Sequence, residues 1–163
     1  KEYIKKKVAA RFTYSDTMNL KTDCESINKR FFFPNFSNSN EEAEFPLAYA
    51  KNIFKDYLFI EMELAAEYAP QNFYCYTIDA KASPLFKKRI RNLNSCFPNV
   101  FVAEREFDTK SSGNNNNYAM MECFKILADF HWKYVFVLQV IVISKYKQTS
   151  SNTQFVKGVA SHL

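Results

Sequence analysis

The chain has 163 residues, 47% of them hydrophobic and 17% aromatic, enough apolar surface for one domain with its own core and too much for a disordered segment. With only 2 glycines it holds neither a G-x-x-x-x-G-K-S/T loop nor a G-x-G-x-x-G fingerprint, so a glycine-rich phosphate cradle is excluded. The net charge of +5 comes from short runs, Lys5 to Lys7 and Lys87 to Arg91, interrupted by Glu41, Glu42 and Glu44; this is not the continuous basic stripe of a nucleic-acid binder, and no nucleic-acid partner is expected.

Residues 1–45 are polar, aromatic and without a steady period, which predicts an irregular amino-terminal arm with short helical pieces. A regular rhythm runs from 46 to 143. Leu47 to Ile53 is an apolar stretch suited to a strand. Asp56 stands as the N-cap of a helix that reaches about Tyr68, with Leu58, Met62, Ala65 and Ala66 near a 3.6-residue period. Pro70 ends it. Phe73 to Ile78, aromatic and β-branched, predicts a buried strand. Ser83-Pro84 opens a second helix that carries Phe86, Ile90 and Leu93 on one face and the basic run on the other. Val100 to Ala103 is a third strand, and Asn114 to Asn117 a polar loop. Tyr118 to Phe130 is a third helix with Met121, Phe124 (or the stem of Lys125), Leu127 and Ala128 inward, and Tyr134 to Val140 a fourth strand. Residues 144–163 have no period and read as an unstructured or non-native tail. Strands and helices that alternate in this way imply an α/β fold, a mostly parallel sheet with helices on both faces.

In such sheets ligands bind beyond the carboxyl ends of the strands. Asp79 ends the best-formed strand, where its carboxylate can accept hydrogen bonds from a ribose or a base N–H, or else cap the following turn. The loop from Asn52 to Asp56 and the polar run from Lys110 to Asn117 form the remaining rim. No H-E-x-x-H, D-x-D or C-x-x-C occurs and only two histidines are present, so neither a metal nor another cofactor is expected. Cys24, Cys75, Cys96 and Cys123 are widely spaced; they fit either buried thiols or two disulfides in an oxidising compartment. Asn35-Phe36-Ser37 is an N-glycosylation sequon compatible with the second case. The longest apolar run, Tyr134 to Ile143, is half of the roughly 20 residues a spanning helix needs.

Several segments together resemble the core-2/I-branching β-1,6-N-acetylglucosaminyltransferase family. They are Asp23-Cys24 with Lys29-Arg30, EEAEFPLAY from Glu41 to Tyr49, APQNFYC from Ala69 to Cys75, NSCFPNVFV from Asn94 to Val102, and Trp132-Lys133-Tyr134. The likeness covers about Asp23 to Gln139, and Ser111-Ser112-Gly113 with Leu138-Gln139 looks more like invertebrate members than vertebrate ones. The resemblance implies a GT-A-like, Rossmann-type fold in which 46–143 is the amino-terminal, nucleotide-sugar-binding half of the domain. It implies transfer of N-acetylglucosamine from UDP-N-acetylglucosamine to a glycoprotein O-glycan as a β-1,6 branch, with inversion and without a divalent metal. It also implies a place on the lumenal side of the Golgi membrane, held by an anchor outside this sequence. Asp79 matches the family's uridine-contacting aspartate, Ile53 the lining of the uracil pocket, and Ser111 a donor-side position usually occupied by tyrosine. The cysteines match positions that pair as Cys24 with Cys96 and Cys75 with Cys123. The family's catalytic glutamate and the basic residues that neutralise the donor diphosphate are expected beyond this chain, so the fragment alone is expected to be inactive. A non-catalytic uridine-nucleotide or glycan-binding remnant and a related β-xylosyltransferase are the alternative readings.

Overall fold

A computed structural model describes residues 16–110, 113–139 and 154–157. Two short helices, α1 (Cys24–Arg30) and α2 (Asn40–Ala43), precede the alternating part. There follow β1 (Leu47–Ile53), α3 (Tyr57–Glu67), β2 (Phe73–Ile78), α4 (Pro84–Cys96), β3 (Val100–Val102), α5 (Asn116–Leu127) and β4 (Tyr134–Gln139). A last strand, β5 (Gln154–Lys157), closes the sheet, whose order is β3-β2-β1-β4-β5. The first four strands are mutually parallel and β5 is antiparallel to β4. The fold is therefore a Rossmann-like α/β sheet. Among the described residues no helix is long and apolar enough to cross a membrane.

Alternation along each strand sends its side chains to two separate cores. On one face Ile53 of β1, Tyr74, Tyr76 and Ile78 of β2 and Val100 of β3 pack with Ile27 of α1, Tyr57, Ile60 and Leu64 of α3, and Phe86, Ile90 and Leu93 of α4. On the other, Ala48 and Ala50 of β1, Cys75 of β2 and Val135 of β4 meet Met120, Cys123 and Leu127 of α5. The alanines of β1 leave room for α5 to approach, and the large rings of β2 fill the space beneath α3 and α4.

Four sequence expectations need correction. The buried side of α3 is Tyr57, Ile60, Glu61 and Leu64, while Met62 is 46% exposed. Apolar residues surround most of this helix, so a 3.6-residue period fits two stripes; Glu61, gripped by Arg30 of α1 through bonds of 2.8 and 2.9 Å, decides between them. In α5 the inward residues are Ala119, Met120, Cys123 and Leu127, with Met121 and Ala128 outward, because the bond from Cys123 sets the rotation. The basic run of α4 is not wholly solvent-facing: Arg89 is buried, its guanidinium bonded to the carbonyls of Thr17 and Met18. Within the tail expected to be unstructured, residues 154–157 form β5, since pairing satisfies the backbone groups along an open strand edge. The rest of that tail, 144–153 and 158–163, and Val140 at the end of the expected fourth strand lie outside the described residues.

Each core carries one disulfide, and the pairs are those the resemblance implies. Cys24–Cys96 ties α1 to α4 across a sequence separation of 72, and Cys75–Cys123 ties β2 to α5 across 48. Loops of this size lower the entropy of the unfolded chain by the equivalent of about 4 kcal/mol each. Replacing both Cys75 and Cys123 by alanine is expected to remove about that much stability, read as a lower denaturation midpoint, with the Cys24–Cys96 bridge intact by non-reducing peptide mapping. An unchanged midpoint would mean that packing alone holds α5.

Candidate functional site

The chain runs from β1 to β2 and β3 on one side, then returns past β1 to β4 on the other. The carboxyl ends of β1 and β4 therefore flank the topological switch point, the place where open α/β sheets leave a crevice for ligands. A cluster of buried polar side chains stands at this edge.

Asn52 and Thr77, the penultimate residues of β1 and β2, are register partners and buried. The Thr77 hydroxyl donates to Asn52 Oδ1 at 3.2 Å, and Asn52 Nδ2 donates to Thr109 Oγ1 at 3.0 Å and to Asn116 Oδ1 at 3.2 Å. Thr109 Oγ1 donates in turn to the carboxylate of Asp79, and its backbone N–H reaches the same oxygen at 3.2 Å. Every donor in this relay faces an acceptor, and the relay ends on the one group able to take several bonds. The other Asp79 oxygen accepts from the Lys81 N–H at 2.8 Å, with Lys81 Nζ 3.4 Å from the carboxylate. Lys81 Nζ also donates to Asp108 Oδ1 at 2.5 Å and to the Thr109 carbonyl. The segment 107–109 is thereby fastened across the ends of β1 and β2, helped by a parallel bridge between Asp79 and Phe107. Burial would raise the Asp79 carboxyl, but the hydrogen bonds from Thr109 and Lys81 and the Lys81 charge outweigh it and hold the group below the ordinary carboxylate range.

Of the residues assigned from sequence, Asp79 thus sits at the expected strand end, 4% exposed and fully engaged by protein donors. Ile53 is 1% exposed and its side chain belongs to the core, because alternation turns it toward α3. Only its backbone takes part at the edge, where its carbonyl accepts from the Asp79 N–H at 2.9 Å. The exposed side chain at the end of β1 is Phe54 instead. Ser111 lies outside the described residues. Sequence reading did not single out Thr77 and Thr109. Thr77 was signalled by its place beside Asp79 at a strand end, whereas Thr109 had no local signal.

A separate cleft of about 260 Å³ shares none of these residues and is lined by Asp16, Lys55, Asp56, Ser83, Leu85, Phe86 and Arg89. Asp56 holds the N-cap position of α3 but has left-handed backbone (φ 62°) and makes no side-chain cap. Asp16 caps α3 instead, accepting from the N–H groups of Tyr57 at 2.7 Å and Leu58 at 3.1 Å, with Arg89 3.5 Å away. The strand-end cluster and this cleft are both products of the parallel α/β plan, and the sequence places that plan in a known family.

The profile of the Core-2/I-Branching enzyme family matches residues 47–152. The chain belongs to this family. Among its relatives, β-1,3-galactosyl-O-glycosyl-glycoprotein β-1,6-N-acetylglucosaminyltransferase 3 of Mus musculus is 35% identical over 132 residues, which cover 80% of this chain and 30% of the relative. The protein of the same name from Homo sapiens is 36% identical over 131 residues, 79% of this chain and 30% of the relative. A β-1,3-galactosyl-O-glycosyl-glycoprotein β-1,6-N-acetylglucosaminyltransferase of bovine herpesvirus 4 is 33% identical over 132 residues, 80% of this chain and 30% of the relative. The chain thus spans about 30% of the length of these relatives. The matched region contains the strand ends and the polar relay, from Asn52 to Asn116.

A carboxyl held below its ordinary value contributes stability above the unfolded-state pKa and loses it as pH falls through the folded-state pKa. The folded chain is therefore expected to weaken as pH drops below the ordinary aspartate value of 3.8. Asp79→Asn should be less stable at neutral pH and show a shallower acid limb. Thr109→Val should cost about 1–3 kcal/mol by stranding Asp79 and Asn52. Denaturant titrations across pH read both effects; parallel acid limbs for wild type and Asp79→Asn would contradict the assignment.

Proposed function

We propose that this chain contributes the donor-nucleotide site of a glycosyltransferase that moves N-acetylglucosamine from UDP-N-acetylglucosamine to a glycoprotein O-glycan. Family membership supports transfer of a sugar, and the names of the relatives support N-acetylglucosamine and a β-1,6 linkage. The observation that carries the reading is the buried polar relay from Thr77 to Asp79 at the switch point, since its hydrogen bonds hold the segment 107–109 as a preformed rim beside β1 and β2. A rim built in advance lowers the ordering cost of binding.

In the proposed reaction an acceptor hydroxyl attacks the anomeric carbon of the donor sugar, the bond to the UDP oxygen breaks with inversion, and a general base takes the hydroxyl proton. No divalent metal takes part in this scheme. Asp79 serves the uridine side by organising the Lys81–Thr109 edge; the donor-side contact is assigned to Ser111 by the family resemblance alone, and Ile53 supports the floor from beneath. Two disulfides suit an oxidising compartment, which favours the lumenal side of the Golgi membrane. The second reading, a uridine-nucleotide or glycan-binding chain without turnover, uses the same strand-end edge and differs only in lacking the transfer step.

Titration of the chain with UDP separates these from the absence of a nucleotide site. UDP is expected to bind and to protect the 107–109 amides from exchange, and Asp79→Asn to weaken binding about tenfold or more, the worth of a charge-assisted hydrogen bond. Binding that is absent, or indifferent to Asp79→Asn in a variant that keeps both disulfides, would refute the donor site. Binding without sugar transfer by the whole protein would favour the second reading.

A further inference from the structure

We infer that Asn35 is an acceptor for an N-linked glycan, seated at the opposite end of the sheet from the nucleotide edge. Asn35-Phe36-Ser37 is the one Asn-x-Ser/Thr triplet in the chain. It lies on the irregular segment between α1 and α2, with the Asn35 side chain exposed.

The segment is anchored on both sides of the acceptor. Before it, Phe33 is 8% exposed and packs edge-on against Tyr68 at 5.3 Å and tilted against Phe97 at 4.4 Å. After it, Ser37 Oγ donates to Gln71 Oε1 at 2.7 Å. Gln71 precedes β2 and Phe97 precedes β3, so these anchors fix the segment at the amino ends of the parallel strands. A bulky branched sugar there leaves the carboxyl edge open. Phe32 and Phe36, on either side of Asn35 in sequence, are 80% and 76% exposed. Two large rings bared to water cost solubility, and the apolar face of a sugar ring attached between them is a fitting cover.

The modification requires a lipid-diphosphate-linked oligosaccharide as co-reactant. Asn35 Nδ2 bonds to the anomeric carbon of the oligosaccharide's first sugar, the bond from that carbon to phosphate oxygen breaks, and the lipid diphosphate leaves with the electron pair. One amide proton passes to a base. The step takes place before folding is complete, and the fold has only to leave Asn35 facing outward.

The inference rests on the lumenal compartment proposed above, so the test supplies that compartment with a secretory leader and remains informative if the natural location differs. The full chain is expressed in a eukaryotic host, and the secreted, disulfide-bonded product is treated with peptide N-glycosidase in heavy-oxygen water. Asn35 is expected to be converted to isotopically labelled Asp, with loss of one glycan's mobility shift. Ser37→Thr should keep the label, while Asn35→Gln and Ser37→Ala should abolish the shift and still be secreted with both disulfides formed. Unlabelled Asn35 in correctly bridged wild-type product would overturn the inference, as would a shift that survives in Asn35→Gln.

Discussion

A parallel strand buried on both faces must divide its side chains between two cores, and in this molecule β1 carries that constraint. It pairs with β2 on one side and β4 on the other, so no edge of it meets solvent. Its small residues, Ala48 and Ala50, admit α5 on one face, and Tyr49, Lys51 and Ile53 meet the opposite core. The two disulfides follow the same division, one per face, so neither layer depends on apolar packing alone. A slip of one residue in the β1 register would exchange the contents of the two cores, which is why turn chemistry alone does not set it.

Burying β1 has forced charge into the interior. Lys51 is fully buried, with its ammonium in contact with Glu67 and 3.4 Å from Glu63, two carboxylates one turn apart on α3. Burial pushes Glu67 upward and Lys51 offsets that only in part. Glu61 is paired with Arg30 in a two-pronged bond. An isolated ion in such a place costs several kcal/mol, and a paired one recovers that cost only with good geometry. What these pairs contribute is position: each joins α3 to another element, and none slides without exposing a buried charge. Among the described residues the Tyr76 hydroxyl is buried without a hydrogen-bond partner, and burial pushes the phenols of Tyr57 and Tyr76 upward, keeping them neutral.

The strand-end relay continues this logic at the functional edge. Its polarity is one-way, from the Thr77 hydroxyl through Asn52 and Thr109 to Asp79, so the carboxylate orients the side chains behind it. Low local dielectric strengthens such a chain and makes any unpaired member expensive. The edge is therefore rigid where it meets 107–109, and that rigidity ties core packing to the shape of the proposed nucleotide edge. The proposed glycan occupies the other end of the sheet, where a large, hydrated group is compatible with that role.

The order and type of the elements from β1 to β4 were legible in the sequence because they depend on local chemistry: β-branched and aromatic runs for the strands, Ser83-Pro84 for the start of α4, Pro70 for the stop after α3; β5 was not, since it forms only by pairing with β4. So was Asp79 at a strand end, since strand termini and acidic side chains both show in a short window. Which side of α3 and α5 faces inward was not legible, because both helices are apolar over more than one stripe and the choice rests on Arg30–Glu61 and Cys75–Cys123, contacts between distant segments. Asp56 has the sequence position of a cap, yet Asp16, 41 residues before Tyr57, supplies the carboxylate, and nothing local announces it. Thr109 joins the site for the same reason: its partners Asn52 and Asp79 lie 57 and 30 residues away. Sequence alone determined the elements from β1 to β4 and their order through local preference; tertiary structure decided β5, helix rotation, the partners of buried charge and the assembled site, because those depend on what distant residues bring to the same place.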